Sequence, residues 1–225
     1  MGTEALARLR LLQLSSPTLP VGAFAYSQGL EYAVEAGWVR DENETADWLA
    51  GLIDDTLAHL ELPILFRMQA ACTRGDESEL RSLAKRIVAA RETAELRAEE
   101  STRARALATL LADLDVGHAR EWRETLGMAQ CAGFACAAYA WKIPTRDALL
   151  GYAWAWLENQ VACAIKLVPL GQTAGQRVLL ALGPALERAV ETAMTLDDDD
   201  IGASAPALAM ASSLHETQYT RLFRS

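Results

Sequence analysis

The residue types that most often carry out chemistry are few in this sequence. The chain has only three histidines: His59, His118 and His215. Their separation does not match the local spacing of a metal-binding motif. His59 and Glu61 are two positions apart, so on a regular helix they point in different directions. The sequence therefore predicts no metal site, and it contains no motif for a cofactor.

The candidate nucleophiles are equally weak. Ser27 in Ala-Tyr-Ser-Gln-Gly lacks the first glycine of a nucleophile elbow, and we interpret it as a serine near a helix start. The four cysteines, Cys72, Cys131, Cys136 and Cys163, form no Cys-x-x-Cys pair. They are predicted to be reduced, and Cys131 and Cys136 are each interpreted as a small buried hydrophobic residue. The run of aspartates from Asp197 to Asp200 has no histidine or cysteine company, which favours a solvated loop over a cation site.

Polar residues do accumulate beside two loops that contain proline and glycine, and in the last residues of the chain. The polar residues of the two loops include Tyr26, Gln28, Glu31, Asn159, Gln160, Lys166, Gln172 and Gln176. They predict either buried networks that fix the loops or a recognition surface, and both interpretations stay open. Near the C-terminus, Tyr219, Arg221, Phe223 and Arg224 form a combination of aromatic and arginine side chains that is typical of interface anchors.

The elements that must position these residues are predicted to be helices. Of 225 residues, 51% are hydrophobic, and alanine, the best helix former, is abundant. We expect an all-α, single-domain bundle of about eight to ten helices over residues 1–196. An acidic linker (197–206) and a C-terminal tail (207–225) are expected to follow. A net charge of −9 argues against nucleic-acid binding. No transmembrane stretch or signal peptide is recognised, so a cytoplasmic protein is expected.

Periodicity and helix-breaking residues divide the bundle. Helices are predicted at about 4–14, 25–36 (ending at Gly37), 44–59, 64–72, one or two within 77–112, 119–141, 145–166 and 174–194. Pro63 should interrupt or kink the chain, and Gly183 with Pro184 should kink or divide the last of these helices. The small-residue stretch within 127–138 is predicted to be either central core or a subunit seam.

Charged side chains four residues apart mark the region between 91 and 103. Arg91 with Glu95, and Glu99 with Arg103, have the spacing of neighbours on a helix surface. We interpret them as a solvated helical face.

Four segments of the chain, in order, resemble the UreF family of urease accessory proteins. They are residues 19–31 (LPVGAFAYSQGLE), 91–97 (RETAELR), 166–176 (KLVPLGQTAGQ) and 215–225 (HETQYTRLFRS). The resemblance runs essentially from end to end. It implies an all-helical cytoplasmic homodimer with no catalysis and no cofactor of its own.

The resemblance also implies partners. Members of the family bind the accessory protein UreD (UreH in some species) and recruit the GTPase UreG, and the assembly helps to deliver nickel to apo-urease. By similarity, the tail orders on UreD binding and presents part of the UreG site, with Arg221 in recruitment. Lys166 matches a lysine regarded as a modulator of the GTPase, although capping of a helix end explains it equally well. The predicted partner-binding residues are Tyr26, Gln28, Glu31, Lys166, Gln172, His215, Tyr219, Arg221, Phe223 and Arg224.

Two other functions remain as hypotheses. The chain could be a generic helical adaptor unrelated to urease. A small helical enzyme could instead use Lys166, Glu31 and Tyr26 as acid–base groups, although no nucleophile or cofactor motif accompanies them.

Overall fold

The computed structural model describes residues 2–202 and 204–225, and its regular elements within these ranges are all helices, with no strand, which confirms the predicted all-α class. The α-helices are α1 (Gly2–Leu14), α2 (Leu30–Glu35), α3 (Glu42–Leu52), α4 (Leu62–Arg74), α5 (Glu77–Ala89), α6 (Ala94–Asp113), α7 (Arg123–Leu126), α8 (Gln130–Ala140), α9 (Thr145–Leu167), α10 (Gln172–Thr195) and α11 (Pro206–His215). A π-helical segment spans Ile53–Glu61, and 3₁₀ turns lie at Ala23–Ala25 and Asp198–Asp200. Within the described ranges, no helix is long and apolar enough to cross a membrane.

Helix α8 lies in the middle of the bundle and packs against α4 and α6. Every residue from Cys131 to Ala138 is buried within the single chain. At Gly133, a Cβ atom would come within 2.9 Å of the Leu107 side chain, so α8 and α6 approach each other through this glycine. Of the two interpretations of the small-residue stretch, the structure therefore supports the core of one protomer.

The prediction of a single helix over 119–141 is wrong. The chain turns after α6, forms the four-residue α7, and starts again at α8. The main-chain N–H of Gln130 donates to the Glu100 carboxylate at 2.7 Å, which satisfies a free donor at the start of α8. A side chain from a distant helix thus fixes this boundary, and no local pattern reveals it.

The chain stays helical from Glu42 to Arg74, but the π-helical segment Ile53–Glu61 interrupts the α-helix just before Pro63. Proline has no N–H, so the carbonyl oxygen of His59, four residues earlier, loses its helical partner. That oxygen accepts a hydrogen bond from the N–H of Gly202 at 3.0 Å. The helix interruption thereby anchors the chain just before α11.

Of the kink or division predicted at Gly183 and Pro184, the division is wrong, since α10 continues past both residues. Pro184 lies on the exposed side of α10, where water can satisfy the freed carbonyl group. On the buried side, a Cβ at Gly175 would lie 2.5 Å from Ile165, which shows how closely α10 approaches α9.

The segment predicted as a helix over 25–36 is helical only from Leu30 to Glu35. Gln28 (φ 53°) and Gly29 (φ 77°) both adopt the left-handed backbone conformation, which no helix can continue through. Gly37 (φ 74°) ends α2 as predicted. The short turn at 26–29 brings main-chain donors towards the C-terminal residues.

Candidate functional site

The C-terminal segment, residues 206–225, lies on the helical body. The main-chain carbonyl oxygen of Ser225 accepts from the N–H of Ser27 at 2.7 Å, the N–H of Gln28 at 3.1 Å and the Ser27 hydroxyl at 2.6 Å. The N–H of Arg224 donates to the Ala25 carbonyl oxygen at 2.8 Å. In the structure the segment thus contacts residues 19–31, here called the N-terminal signature. The ordering of the tail on UreD binding stays a prediction.

A buried histidine joins this segment to two helices. His215, at the end of α11, has no exposed surface, and its Nε2 atom lies 3.0 Å from Glu31 Oε2 of α2. Its Nδ1 atom lies 2.7 Å from Glu95 Oε2 of α6. Glu95 also accepts from Arg221 Nη1 at 2.5 Å, and Glu31 accepts the main-chain N–H groups of residues 222 and 223 at 2.6 and 2.9 Å. His215 therefore positions the segment from inside and offers no surface to a partner.

Glu99 of α6 forms a second attachment point. Its carboxylate accepts from Gln28 Nε2 at 2.8 Å, from Arg103 Nη1 at 2.6 Å and from the Ser225 hydroxyl at 2.8 Å. Gln28 in turn accepts from the indole N–H of Trp156 at 2.8 Å. The carboxylate is thus paired and fully hydrogen-bonded, which is the condition for burying a charge at acceptable cost.

A deeper ionic cluster lies beneath this point. Arg91 donates to Glu61 at 2.9 Å and to Glu100 at 2.7 Å, and Tyr152 donates its hydroxyl proton to Glu61 at 3.0 Å. Burial acts to raise the pKa of Glu61, but the charge and hydrogen bonds of Arg91 outweigh it and hold that pKa below its ordinary value. Burial raises the pKa of Tyr152 well above its ordinary value, so its hydroxyl group stays protonated.

These charged residues correct the sequence analysis. The 91–103 region was interpreted as a solvated face, yet the Arg103 and Glu99 side chains are only 12% and 3% exposed. Arg91 precedes α6 and pairs with Glu61 and Glu100, so the predicted pair with Glu95 does not form. Glu95 and Glu99 were missed as site residues, although the family motif at 91–97 already marked the region.

Phe223 inserts into a small apolar pocket. It is 5% exposed and packs in a cluster with Leu30, Ala33 and residues of α9. The ammonium group of Lys166 lies 5.5 Å from the centre of its ring, a cation–π geometry. Lys166, at the end of α9, therefore contacts the C-terminal segment of its own chain.

The remaining predicted site residues do not share one location: Tyr219 and Arg224 lie on the C-terminal segment, while Gln172 and Tyr26 lie elsewhere. Tyr219, Arg224 and Gln172 are exposed. Gln172 lines a separate groove of about 290 Å³ that lies between α9, α10 and the loop at 15–24. Tyr26 is buried, and its carbonyl oxygen accepts from Asn159 at 3.2 Å. The structure thus brings Gln28, Glu31, Lys166, His215, Arg221 and Phe223 together around the C-terminal segment.

The arrangement offers an outward surface on the attached segment. Tyr219 is fully exposed and Leu222 is 64% exposed, while the side chain of Arg221 is 38% exposed. Met210 and Leu214 on α11 are also exposed, at 54% and 45%. An aromatic, an arginine and aliphatic side chains held on a rigid base have the composition of a protein-binding surface.

The chemistry of the site does not suggest a reaction. Glu31 is fully engaged with His215 and the main chain, and Tyr26 and Lys166 contact other parts of the protein. All four cysteines are free, as predicted, and all four are buried. Burial raises the pKa of Cys72 to about 12. In the part of the chain that the structure describes, no group of three or more His, Cys, Asp or Glu side chains could hold a metal ion.

Comparison with known proteins identifies the family. The sequence model of the UreF family matches residues 39–183, more than half of the chain. The chain belongs to the UreF family. The urease accessory protein UreF of Pseudomonas putida (strain W619) is 51% identical over 98% of each chain. That of Alkalilimnicola ehrlichii is 48% identical over the whole of both chains, and the UreF 2 protein of Brucella anthropi is 48% identical over 100% of this chain and 99% of its own.

These matches extend beyond the region that the family model covers. Residues 19–31 and 215–225, which meet in the structure, lie outside 39–183 but inside the full-length alignments. The two segments that form this contact are therefore both covered by the alignments with the full-length relatives.

Proposed function

We propose that this protein is an accessory protein of urease maturation that works as a non-catalytic scaffold. It binds UreD (UreH in some species) and recruits the GTPase UreG, so that nickel, the cargo of the assembly, reaches apo-urease. The relatives that match the whole chain are named urease accessory proteins, and this supports the pathway. The proposal includes a cytoplasmic homodimer and a possible effect on GTP hydrolysis by UreG.

The observation that carries the scaffold role is the attached C-terminal segment. Its inner face is held by Glu31, Glu95 and Glu99, and its outer face presents Tyr219 and Leu222. A preorganised surface binds with a smaller entropy cost than a free tail does. The alternative of a helical adaptor unrelated to urease shares the surface but not the partners.

The experiment is complementation in urease-producing cells that lack their own UreF gene. We expect this chain to restore urease activity and the nickel content of purified urease. A matched variant carries Tyr219→Ala and Leu222→Ala, which leave the buried contacts intact. It should fold and still fail to restore full activity. Full restoration by the variant would reject this surface, and no restoration by the wild-type chain beside its cognate UreD and UreG would reject the urease role.

A further inference from the structure

The contacts of His215 determine its protonation state. Its two ring nitrogens face two carboxylates, at 3.0 Å from Glu31 and 2.7 Å from Glu95. A neutral imidazole has one N–H and one lone pair, so one nitrogen would point a lone pair at a carboxylate oxygen. Both contacts are hydrogen bonds only when His215 carries a proton on each nitrogen.

The other contacts of the two carboxylates fit their ionised forms. Glu31 accepts two main-chain N–H groups, from residues 222 and 223. Glu95 accepts from the guanidinium group of Arg221 at 2.5 Å. Beside two ionised carboxylates, the imidazolium is the form that donates at both ring nitrogens.

His215 contacts two charged groups, Glu31 on α2 and Glu95 on α6. Arg221 of the C-terminal segment shares Glu95 with it, and Glu216 is its neighbour along the chain. Glu216 accepts the main-chain N–H groups at the start of α6, so it is satisfied without His215. The two positive charges of His215 and Arg221 balance the two negative charges of Glu31 and Glu95.

We propose that Glu31, His215 and Glu95 form a protonation-dependent latch that holds the C-terminal segment on the body. When His215 loses its proton, one buried nitrogen faces a carboxylate without a hydrogen between them, and the same carboxylates anchor residues 221–223. Loss of the proton therefore loosens the whole segment, including the pocket of Phe223. Because the attached segment presents Tyr219 and Leu222, partner capture falls as the segment is released, a consequence that rests on the proposed function.

The test is hydrogen exchange in residues 206–225 of the full chain, from about pH 5 to about pH 8, the range in which histidine charge commonly changes. Rates are divided by intrinsic exchange rates, and the buried helix α8 is the internal reference. We expect protection of the segment to fall about tenfold or more as pH rises, the scale of one hydrogen bond to a charged group. A wild-type segment whose protection does not change with pH would overturn the latch.

Two variants provide the matched comparison. His118 is a partly exposed histidine beside Glu121, so His118→Gln should follow the wild-type pH profile. His215→Gln keeps one donor and one acceptor at every pH, so its segment should be loose throughout and insensitive to pH. A pH dependence retained in His215→Gln would assign the effect to another group and overturn the latch.

If His215→Gln does not fold, a measurement on the wild-type chain still tests the latch. The imidazole signals can be assigned by elimination with His59→Gln and His118→Gln, because the chain has only three histidines. The midpoint of segment release should coincide with the titration of His215, and separate midpoints would overturn the latch. Since exchange is measured without partners, a failed latch is distinguishable from a failure to capture UreD or UreG.

Discussion

At the scale of single residues, the buried charges carry the strongest consequences. Arg91 is 11% exposed and lies between Glu61 and Glu100, which are about as buried as it is. Removing one partner of a buried ion pair leaves an uncompensated charge, which costs far more than the pair contributes. The attachment of the C-terminal segment lies directly above this cluster, so the two share a rigid base.

Arg91→Ala should lower the free energy of unfolding by about 3–5 kcal/mol, because it leaves two carboxylates buried without their cation. Denaturant titration followed by circular dichroism would measure it. The matched control is Arg81→Ala, whose guanidinium group pairs with Glu77 and Glu124 in a more exposed setting. That variant should cost about 1 kcal/mol or less. Similar costs for the two variants would contradict the buried cluster.

The buried carboxylate of Glu61 should make the free energy of unfolding depend on pH. Its pKa is lowered in the folded protein, so its contribution is complete above its ordinary value of 4.5 and is lost as the pH falls below that value. The free energy of unfolding should therefore decrease as the pH is lowered through this range. Glu61→Gln should flatten the decrease, and an unchanged slope in that variant would show that other groups cause it.

Arg221→Ala tests partner recruitment at one residue. The side chain pairs with Glu95 yet remains partly exposed, so its loss removes one anchor and one surface cation. We expect UreG capture to weaken by about tenfold or more, the usual scale for an arginine hot spot. UreD binding and dimerisation should be largely retained, which light scattering of the variant would check. A monomeric or aggregated variant would contradict the separation of these roles.

At the scale of elements, the sequence was informative where local chemistry sets the boundary. The end of α2 at Gly37 follows from glycine conformation. Apolar spacing predicted one or two helices within 77–112, where the structure has α5 and α6. Local sequence patterns failed where a group that is distant in the sequence determines the boundary of an element. Glu100 starts α8, Ser225 fixes the turn at 26–29, and Gly202 takes the carbonyl freed by Pro63.

The residues of the candidate site were likewise predicted in part, where local sequence was enough, and missed where distant packing decides their burial. Motif resemblance located the segments that meet, but charge spacing placed Glu99 and Arg103 on a solvated face, and the structure buries both. The reason is that charges four residues apart pair equally well on an exposed face and under a docked segment. Only the packing of α11 and the N-terminal signature distinguishes the two.

Gly29 provides a test of docking at this scale. A Cβ at Gly29 would lie 3.1 Å from the main-chain nitrogen of Ser212 and 3.2 Å from the Ala211 side chain, so Gly29→Ala should push α11 away. Gly22 has nearly the same backbone conformation, with φ 72° against 77°, but no neighbour within 4 Å. Gly22→Ala therefore carries the same backbone strain without the clash.

Hydrogen exchange in residues 206–225 separates the two variants. Protection should fall by about fivefold or more in Gly29→Ala, since tight contacts of this kind cost on the order of 1–3 kcal/mol. Gly22→Ala should leave that segment as protected as in the wild-type chain. Equal protection in both variants would show that α11 does not pack where the structure places it.

At the scale of the whole molecule, a tightly packed helical body carries one docked segment. The interior is filled by small residues of α8 and by the close contact of α9 with α10. Although the net charge of the chain is −9, the C-terminal segment contains two arginines, Arg221 and Arg224, and one acidic side chain, Glu216. An acidic scaffold thus presents a weakly cationic, partly aromatic surface, which suits a partner with acidic and apolar groups.

The central claim is that this chain joins UreD and UreG into one assembly. The most direct measurement is the mass of the complex that forms when the purified chain is mixed with UreD and UreG, by size-exclusion chromatography with light scattering. We predict one species that contains all three proteins, with UreG lost selectively when the chain carries Arg221→Ala. Failure of the wild-type chain to bind either partner, or unchanged UreG capture by Arg221→Ala, would contradict the account.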